Sequence, residues 1–243
     1  MLNCAGAATA TSLSSEATIL SPSAKIHLHA LFDGGPVSDY LTKVKTFLDA
    51  NPNEVITLIF TNPEGKSVPN IWKPAFDAAG LTSLCYVPPS LPVKASDWPT
   101  LGQLIDSGKR VVVFLDSGAD GNGPEPGTVD FILPEFQMIW ETPFSRTDAT
   151  FPCRIDRIAG PLSSDDHLYM INHSRDINVI PIGDGVLISD RADAPTTNGV
   201  PSILAEANGC APLAAGKAPS FVLLDYVNVG QGRLSVDMLN RLA

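Results

Sequence analysis

Residues 26–62 read IHLHALFDGGPVSDYLTKVKTFLDANPNEVITLIFTN, and this stretch decides the fold class. It is strand, glycine turn, helix, proline stop, strand. Ser38 is the expected N-cap, because its hydroxyl can accept from the orphan amides one turn later. Tyr40, Leu41, Val44, Phe47 and Leu48 recur at helical spacing and give one apolar stripe. Asn51-Pro52 ends the run, since proline disfavours the α conformation of the residue before it. VITLIF then follows as a continuous β-branched, apolar run, the pattern of a parallel strand buried on both faces. Parallel strands joined through helices place functional side chains at their carboxyl ends. His29, Asp33 and Asn62 lie at or just beyond such ends.

The same alternation returns downstream. TLGQLIDSGKRVVVFLDSGAD is a helix closed by Gly108, then a strand ending in Asp116. PNIWKPAFDAAG is a short helix with Pro74 in its first turn and Gly80 at its end. QMIWE is a further strand ending in Glu141, and HLYMINHSRD a strand ending in Asn172 and His173. GVPSILAEANGC is a helix with Pro201 in its first turn and Gly209 as its stop. FVLLDYVN is a strand ending in Asp225. Helix–strand alternation over this length gives an α/β fold, either a (β/α) barrel or an open doubly wound sheet. No glycine-rich nucleotide fingerprint follows any strand, and nearly every strand ends in His, Asp, Glu or Asn. Those two facts favour a TIM-type barrel.

Composition fits one globular domain, with 44% hydrophobic and 17% charged residues. No apolar run approaches the roughly 18 residues of a membrane span. The formal net charge of −10 speaks against nucleic acid or an anionic membrane surface as a held partner. Four cysteines, Cys4, Cys85, Cys153 and Cys210, include no CxxC pair, which makes a structural metal site unexpected. Cys153 in TFPCRIDR and Cys210 in EANGCAPL sit at polar edges of elements, so they form either a disulfide or two buried thiols. If they bridge, Cys4 and Cys85 are left unpaired.

LFDGGPVSDYLTKVKTFLDANPNEVITLIFTN, WPTLGQLIDSGKRVVVFLDSGAD, MIWETPF, LYMINH and FVLLDY, in this order, resemble the fungal PLC-like phosphodiesterases. These are secreted relatives of bacterial phosphatidylinositol-specific phospholipase C. The resemblance runs from about Ile26 to the end of the chain. It implies an X-domain-like TIM barrel that cleaves a phosphodiester with no cofactor and no required metal, and an extracellular location. One histidine deprotonates an alcohol beside the phosphate, a second protonates the leaving oxygen, and an arginine meets the phosphate charge. Carried over, the acid/base role falls to His29, with His27 on the same strand face as the alternative and Asp225 as its catalytic partner. Asp116, Glu141, Asn172 and His173 become substrate-binding candidates, and Lys66 is a cation near the same strand ends.

The family's first histidine and its arginine belong upstream of a segment like Ile26–Phe32. The 25 residues before Ile26 contain neither type, and the first arginine is Arg110. Residues 1–25 therefore read as an atypical, poorly ordered segment without a visible signal peptide, and 26–243 as the barrel domain lacking its first strands. On this reading the chain is a phosphoric diester hydrolase of the phospholipase C type acting on a phosphatidylinositol-like lipid, with little turnover as written. Two alternatives remain. One is a barrel remnant that binds without cleaving. The other is a two-carboxylate glycosidase using two of Asp116, Glu141 and Asp225, disfavoured by an aromatic content of 7%.

Overall fold

The computed structural model describes residues 17–18, 25–28, 32–180 and 186–243, with side chains from Gly35 onward. The chain forms two compact units, one running through Val93 and resuming over Pro99–Glu135, the other made of Lys94–Trp98 and Phe136–Ala243. The first unit opens with an antiparallel sheet of β1 (Ala17–Thr18), β2 (Lys25–Leu28) and β3 (Phe32–Pro36). Helix α1 (Val37–Ala50) follows directly. Its N-cap is Pro36 and makes no side-chain cap, which corrects the assignment of Ser38. Ser38 lies inside the first turn, where its carbonyl accepts from the Thr42 hydroxyl at 2.7 Å. The buried face is Val37, Leu41, Val44 and Leu48, one residue per turn, whereas Phe47 is 44% exposed. The helix stops at Asn51-Pro52 as expected. Arg110 closes it, donating to the carbonyls of Leu48 at 3.1 Å, Asn51 at 3.0 Å and Glu54 at 3.2 Å. A cation on the last carbonyls satisfies orphan acceptors and opposes the helix dipole.

Next come β4 (Ile56–Phe60), α2 (Lys73–Ala78), α3 (Leu101–Asp106), β5 (Val111–Leu115) and β6 (Ile132–Pro134). The three strands pair in parallel in the order β4-β5-β6, with Ile56 opposite Val111 and Val113 opposite Ile132. All five residues of β5 are buried, as a central strand covered on both faces requires. β4 buries only alternate positions at its end, so VITLIF is half-covered rather than buried on both faces. Thr100 and Gln103 form a reciprocal capping box at the start of α3. Phe60 lies 5.2 Å from Trp72 and 6.4 Å from Phe76 between ring centroids, and Phe76 lies 5.4 Å from Phe131. These rings tie the helices to the sheet. Cys85 is free and buried here, and desolvation pushes its thiol up to about 12.

The second unit holds β7 (Ile139–Glu141), β8 (Leu168–Asn172), the hairpin β9 (Asp176–Ile180) and β10 (Val186–Ser189), α4 (Ala194–Thr197), α5 (Val200–Cys210), β11 (Phe221–Leu223) and α6 (Gly232–Leu239). The parallel order is β11-β8-β7, again with a central strand buried at every position. Trp140 stacks on Tyr169 at 4.5 Å, and α5 packs Ile203, Ala207 and Cys210 into the same core. α5 runs through Gly209, which therefore is not the stop, and the turn after it ends at Ala215 with φ +52°. Cys153 and Cys210 are bridged, with Cα atoms 5.1 Å apart.

The TIM-type barrel, complete or lacking strands, is overturned. Among the described residues the parallel strands form two three-stranded sheets, and neither closes. Several strands are three residues long, and β6 ends in Pro134, which has no donor to extend a ladder. The α/β alternation stands; the closure does not.

Two outcomes follow. The bridge closes a separation of 57 residues, so Cys153→Ala/Cys210→Ala should lower stability by about 2–4 kcal/mol, roughly 5–15 °C in Tm. A melt within 2 °C of the parent would contradict this. Cys85 should resist iodoacetamide at pH 8 in the folded protein and react once unfolded, because only the thiolate attacks.

Candidate functional site

In the first unit the strand-end polar residues stitch loops. Asp116, one residue past β5, accepts from the Asn62 backbone N–H at 2.7 Å. The Asn62 carboxamide donates to the carbonyls of Lys66 at 3.0 Å and Ser117 at 3.2 Å, and its oxygen accepts from the Lys66 N–H at 2.9 Å. The Ser117 hydroxyl completes the knot on the Asn62 carbonyl at 2.8 Å. A buried carboxamide using both ends on main chain fixes two adjacent strand-end loops. The Lys66 ammonium sits 3.2 Å from Glu64.

In the second unit β7 and β8 carry two polar pairs side by side. Glu141, the last residue of β7, is 1% exposed. Its Oε2 accepts from the Arg157 guanidinium and from Asn172 Nδ2 at 3.1 Å. Asn172, the last residue of β8, also donates to the Thr142 carbonyl at 2.7 Å, which fixes its flip and leaves Oδ1 buried without a partner. Main-chain bonds between Glu141 and Arg157 align the two segments, and the guanidinium lies 5.0 Å from the Phe136 centroid and 4.4 Å from that of Phe144.

His173 is fully buried. Its Nδ1 lies 2.5 Å from Glu206 Oε2 on α5. Its Nε2 lies 2.9 Å from both the Thr197 carbonyl and the Ser202 hydroxyl. A carbonyl only accepts, so Nε2 carries hydrogen, and no ring nitrogen keeps a free lone pair. Glu206 Oε1 accepts from the Thr142 hydroxyl at 2.9 Å, and that hydroxyl accepts from the Asn172 N–H at 2.9 Å. Phe151 covers His173 at 4.1 Å with a positive φ of 38°, a strained backbone held in place by packing. A cleft of about 200 Å³ lies beside this cluster, lined by Phe151, Cys153, Ser202 and Glu206 among others.

Asp225 stands two residues beyond β11 and is half-buried; its carbonyl accepts from Asn198 Nδ2 at 2.8 Å. Asn198 also donates to the carbonyls of Tyr226 and Val229, so one buried carboxamide shapes the loop that presents Asp225. His29 lies outside the described residues, as do the side chains of His27 and Asp33. His167 is buried, with its nitrogens 2.8 Å and 3.3 Å from the carbonyls of Ser163 and Ala159. Among the described residues no group of three or more His, Cys, Asp or Glu could hold a metal.

Glu206, Thr142, Arg157 and Asn198 escaped the strand-end reading. Glu206 had a signal, since it interrupts the apolar stripe Ile203, Ala207, Cys210 of an otherwise buried helix face. Arg157 had none, because it sits in an irregular connection.

The family described as PI-PLC X 1 matches residues 25–240. PI-PLC X domain-containing protein 1 of Arthroderma benhamiae is 42% identical over 205 residues, covering 82% of this chain and 63% of that protein. An uncharacterized secreted protein of the same fungus is 36% identical over 211 residues, covering 85% of this chain and 46% of its own length. A PI-PLC X domain-containing protein of Arabidopsis thaliana is 31% identical over 88 residues, covering 35% of this chain and 19% of that protein. The chain thus spans less than two thirds of the curated relatives it matches. No solved structure matches it. No helix among the described residues is long and apolar enough to cross a membrane.

Glu206→Ala should leave His173 Nδ1 and the Thr142 hydroxyl proton without their buried acceptor and cost about 3–5 kcal/mol in urea unfolding, against less for Glu206→Gln. A loss below about 1 kcal/mol for the alanine variant would show that the pair carries no such weight.

Proposed function

The chain belongs to the PI-PLC X family, and from that premise we propose that it is a phosphoric diester hydrolase of the phospholipase C type, acting on a phosphatidylinositol-like lipid outside the cell. The observation that carries the reading is the family match over residues 25–240, which takes in every strand-end residue named above. The described histidines narrow the assignment. His173 has both ring nitrogens within hydrogen-bond distance of buried groups, and His167 is buried with both nitrogens against main-chain carbonyls. The acid/base role in this reading falls to His29, with His27 as the alternative and Asp225 as its partner carboxylate. Asn62 and Asp116 hold loops in this reading, and Glu141, Asn172 and His173 support the substrate side by positioning.

One observation favours a second reading. With His167 and His173 both buried against other groups, a domain that binds the lipid without cleaving it is also consistent with the geometry. The glycosidase reading gains nothing, because Glu141 is buried against Arg157 rather than facing an open groove.

The test is release of water-soluble inositol phosphate from phosphatidylinositol vesicles, run beside vesicle co-sedimentation. Turnover is expected to be low, as the sequence reading has it, and what release there is should fall by about 100-fold or more in His29→Ala while sedimentation persists. Sedimentation without any release would favour the binding reading, and neither signal would reject both.

A further inference from the structure

The three parallel strands of the second unit end on one side of their sheet, because β7 and β11 both pair in parallel with β8. The chain leaving each of those ends carries exposed apolar side chains. Phe144 stands three residues past β7 and Val227 four past β11, while the β9–β10 hairpin begins three residues after β8. On the hairpin Ile177, Val179, Ile180 and Ile188 are exposed, and all six side chains show between 37% and 49% of their surface. Neither β9 after Asp176 nor any part of β10 holds a charged residue.

These loops form a single rim. Arg146, in the loop after β7, bridges in parallel to Arg175 at the foot of the hairpin, where the Asp176 N–H donates to the Arg146 carbonyl at 2.7 Å. Arg191, at the hairpin's other foot, lies 5.3 Å from the centre of the Tyr226 ring in the loop after β11. Two of the apolar residues also sit beside strained backbone. Phe144 precedes Ser145 and Val227 follows Tyr226, and those neighbours have φ of +54° and +51°. Such conformations persist only where the surroundings over-determine them. Single exposed apolar residues need no explanation, but six on three tied loops do.

The hairpin also says what covers it. A two-stranded ribbon is marginal in water on its own. Along β9 the side chains of Ile177 and Val179 point to one face and that of Ile180 to the other, so both faces present apolar surface. A second copy of the chain would cover one face and bring a second net charge of −10 against the first. A lipid layer surrounds an inserted ribbon on both faces.

We propose that this rim is a docking surface for a lipid layer with a zwitterionic or neutral surface, entered by the β9–β10 hairpin with Phe144 and Val227 beside it. The choice of lipid as occupant rests on the phospholipid reading above, whereas the residues that dock come from the geometry alone. Burial of apolar area drives the contact, so screening salt does not weaken it and anionic headgroups do not strengthen it.

The probe is pure phosphatidylcholine vesicles, which hold no phosphatidylinositol. The purified chain should sediment with them, and as well at roughly 0.5 M salt as at low salt. Val179→Thr/Ile180→Thr/Ile188→Thr keeps β-branched side chains in the hairpin and should weaken binding by about 10-fold or more. Leu234→Gln/Met238→Gln, at exposed positions of α6, should bind like the parent. Ile180→Trp gives a reading independent of how the triple variant folds, because Trp72, Trp98 and Trp140 are buried. Brominated phosphatidylcholine should quench the emission of that variant and leave the parent's unchanged. The proposal is overturned if the parent fails to sediment, if high salt releases it, or if the α6 pair loses as much binding as the triple variant. It is equally overturned if the triple variant sediments like the parent, if Ile180→Trp is not quenched, or if the rim instead holds together a dimer that the triple variant abolishes. Phosphatidylcholine binding with no release of inositol phosphate from phosphatidylinositol rejects the hydrolase and keeps the docking surface. His29-dependent release with no phosphatidylcholine binding does the reverse.

Discussion

A carboxylate buried in a helix face sets the terms for the second unit. Glu206 projects from α5 into a core of Trp140, Tyr169, Ile203 and Ala207, where an isolated ionised acid would be several kcal/mol too costly to keep. It is tolerated because both oxygens are met, one by the Thr142 hydroxyl and one by the His173 ring. Those partners sit just past the ends of β7 and β8, so meeting the charge also fixes how the helix lies across the strand ends. The disulfide at Cys210 and the strained Phe151 over His173 close the same corner.

Glu141 solves the same problem differently. Its partner is an arginine that reaches it from an irregular connection and is itself part-exposed. One acid is thus sealed inside hydrogen bonds that leave nothing over, while its neighbour is paired to a cation with donors to spare. Asn172 bridges the two sets, since its N–H bonds Thr142 and its carboxamide bonds Glu141.

The α/β alternation was legible because it rests on local chemistry. The stripe of Leu41, Val44 and Leu48, the Asn51-Pro52 stop and the unbroken VVVFL each depend on residues within a few positions. Closure was not legible, because it depends on which strands pair at long range, and three-residue strands such as β7 and β11 leave little pattern to read. Ser38 misled for a related reason, since Pro36 already sets the helix entry and the serine falls within the first turn. Asn62, Asp116, Glu141, Asn172, His173 and Asp225 lie at or just beyond strand ends as read, but Asp33 lies near the start of β3 in an antiparallel sheet, and the partners of the others were not foreseen. Asn62 and Asp116 bond main chain, and the decisive groups for His173 and Glu141 came from α5 and a loop. Only Glu206 betrayed itself, as an acid in an apolar stripe.

The buried acid is tested most directly by native-state hydrogen exchange in the parent and in Glu206→Gln. If Glu206 ties α5 to the strand ends, the amides of Asn172 and of residues 203–210 should lose protection together, by about 10-fold or more. Loss confined to α5, with Asn172 protected as before, would contradict that coupling and leave Glu206 a local feature of its helix.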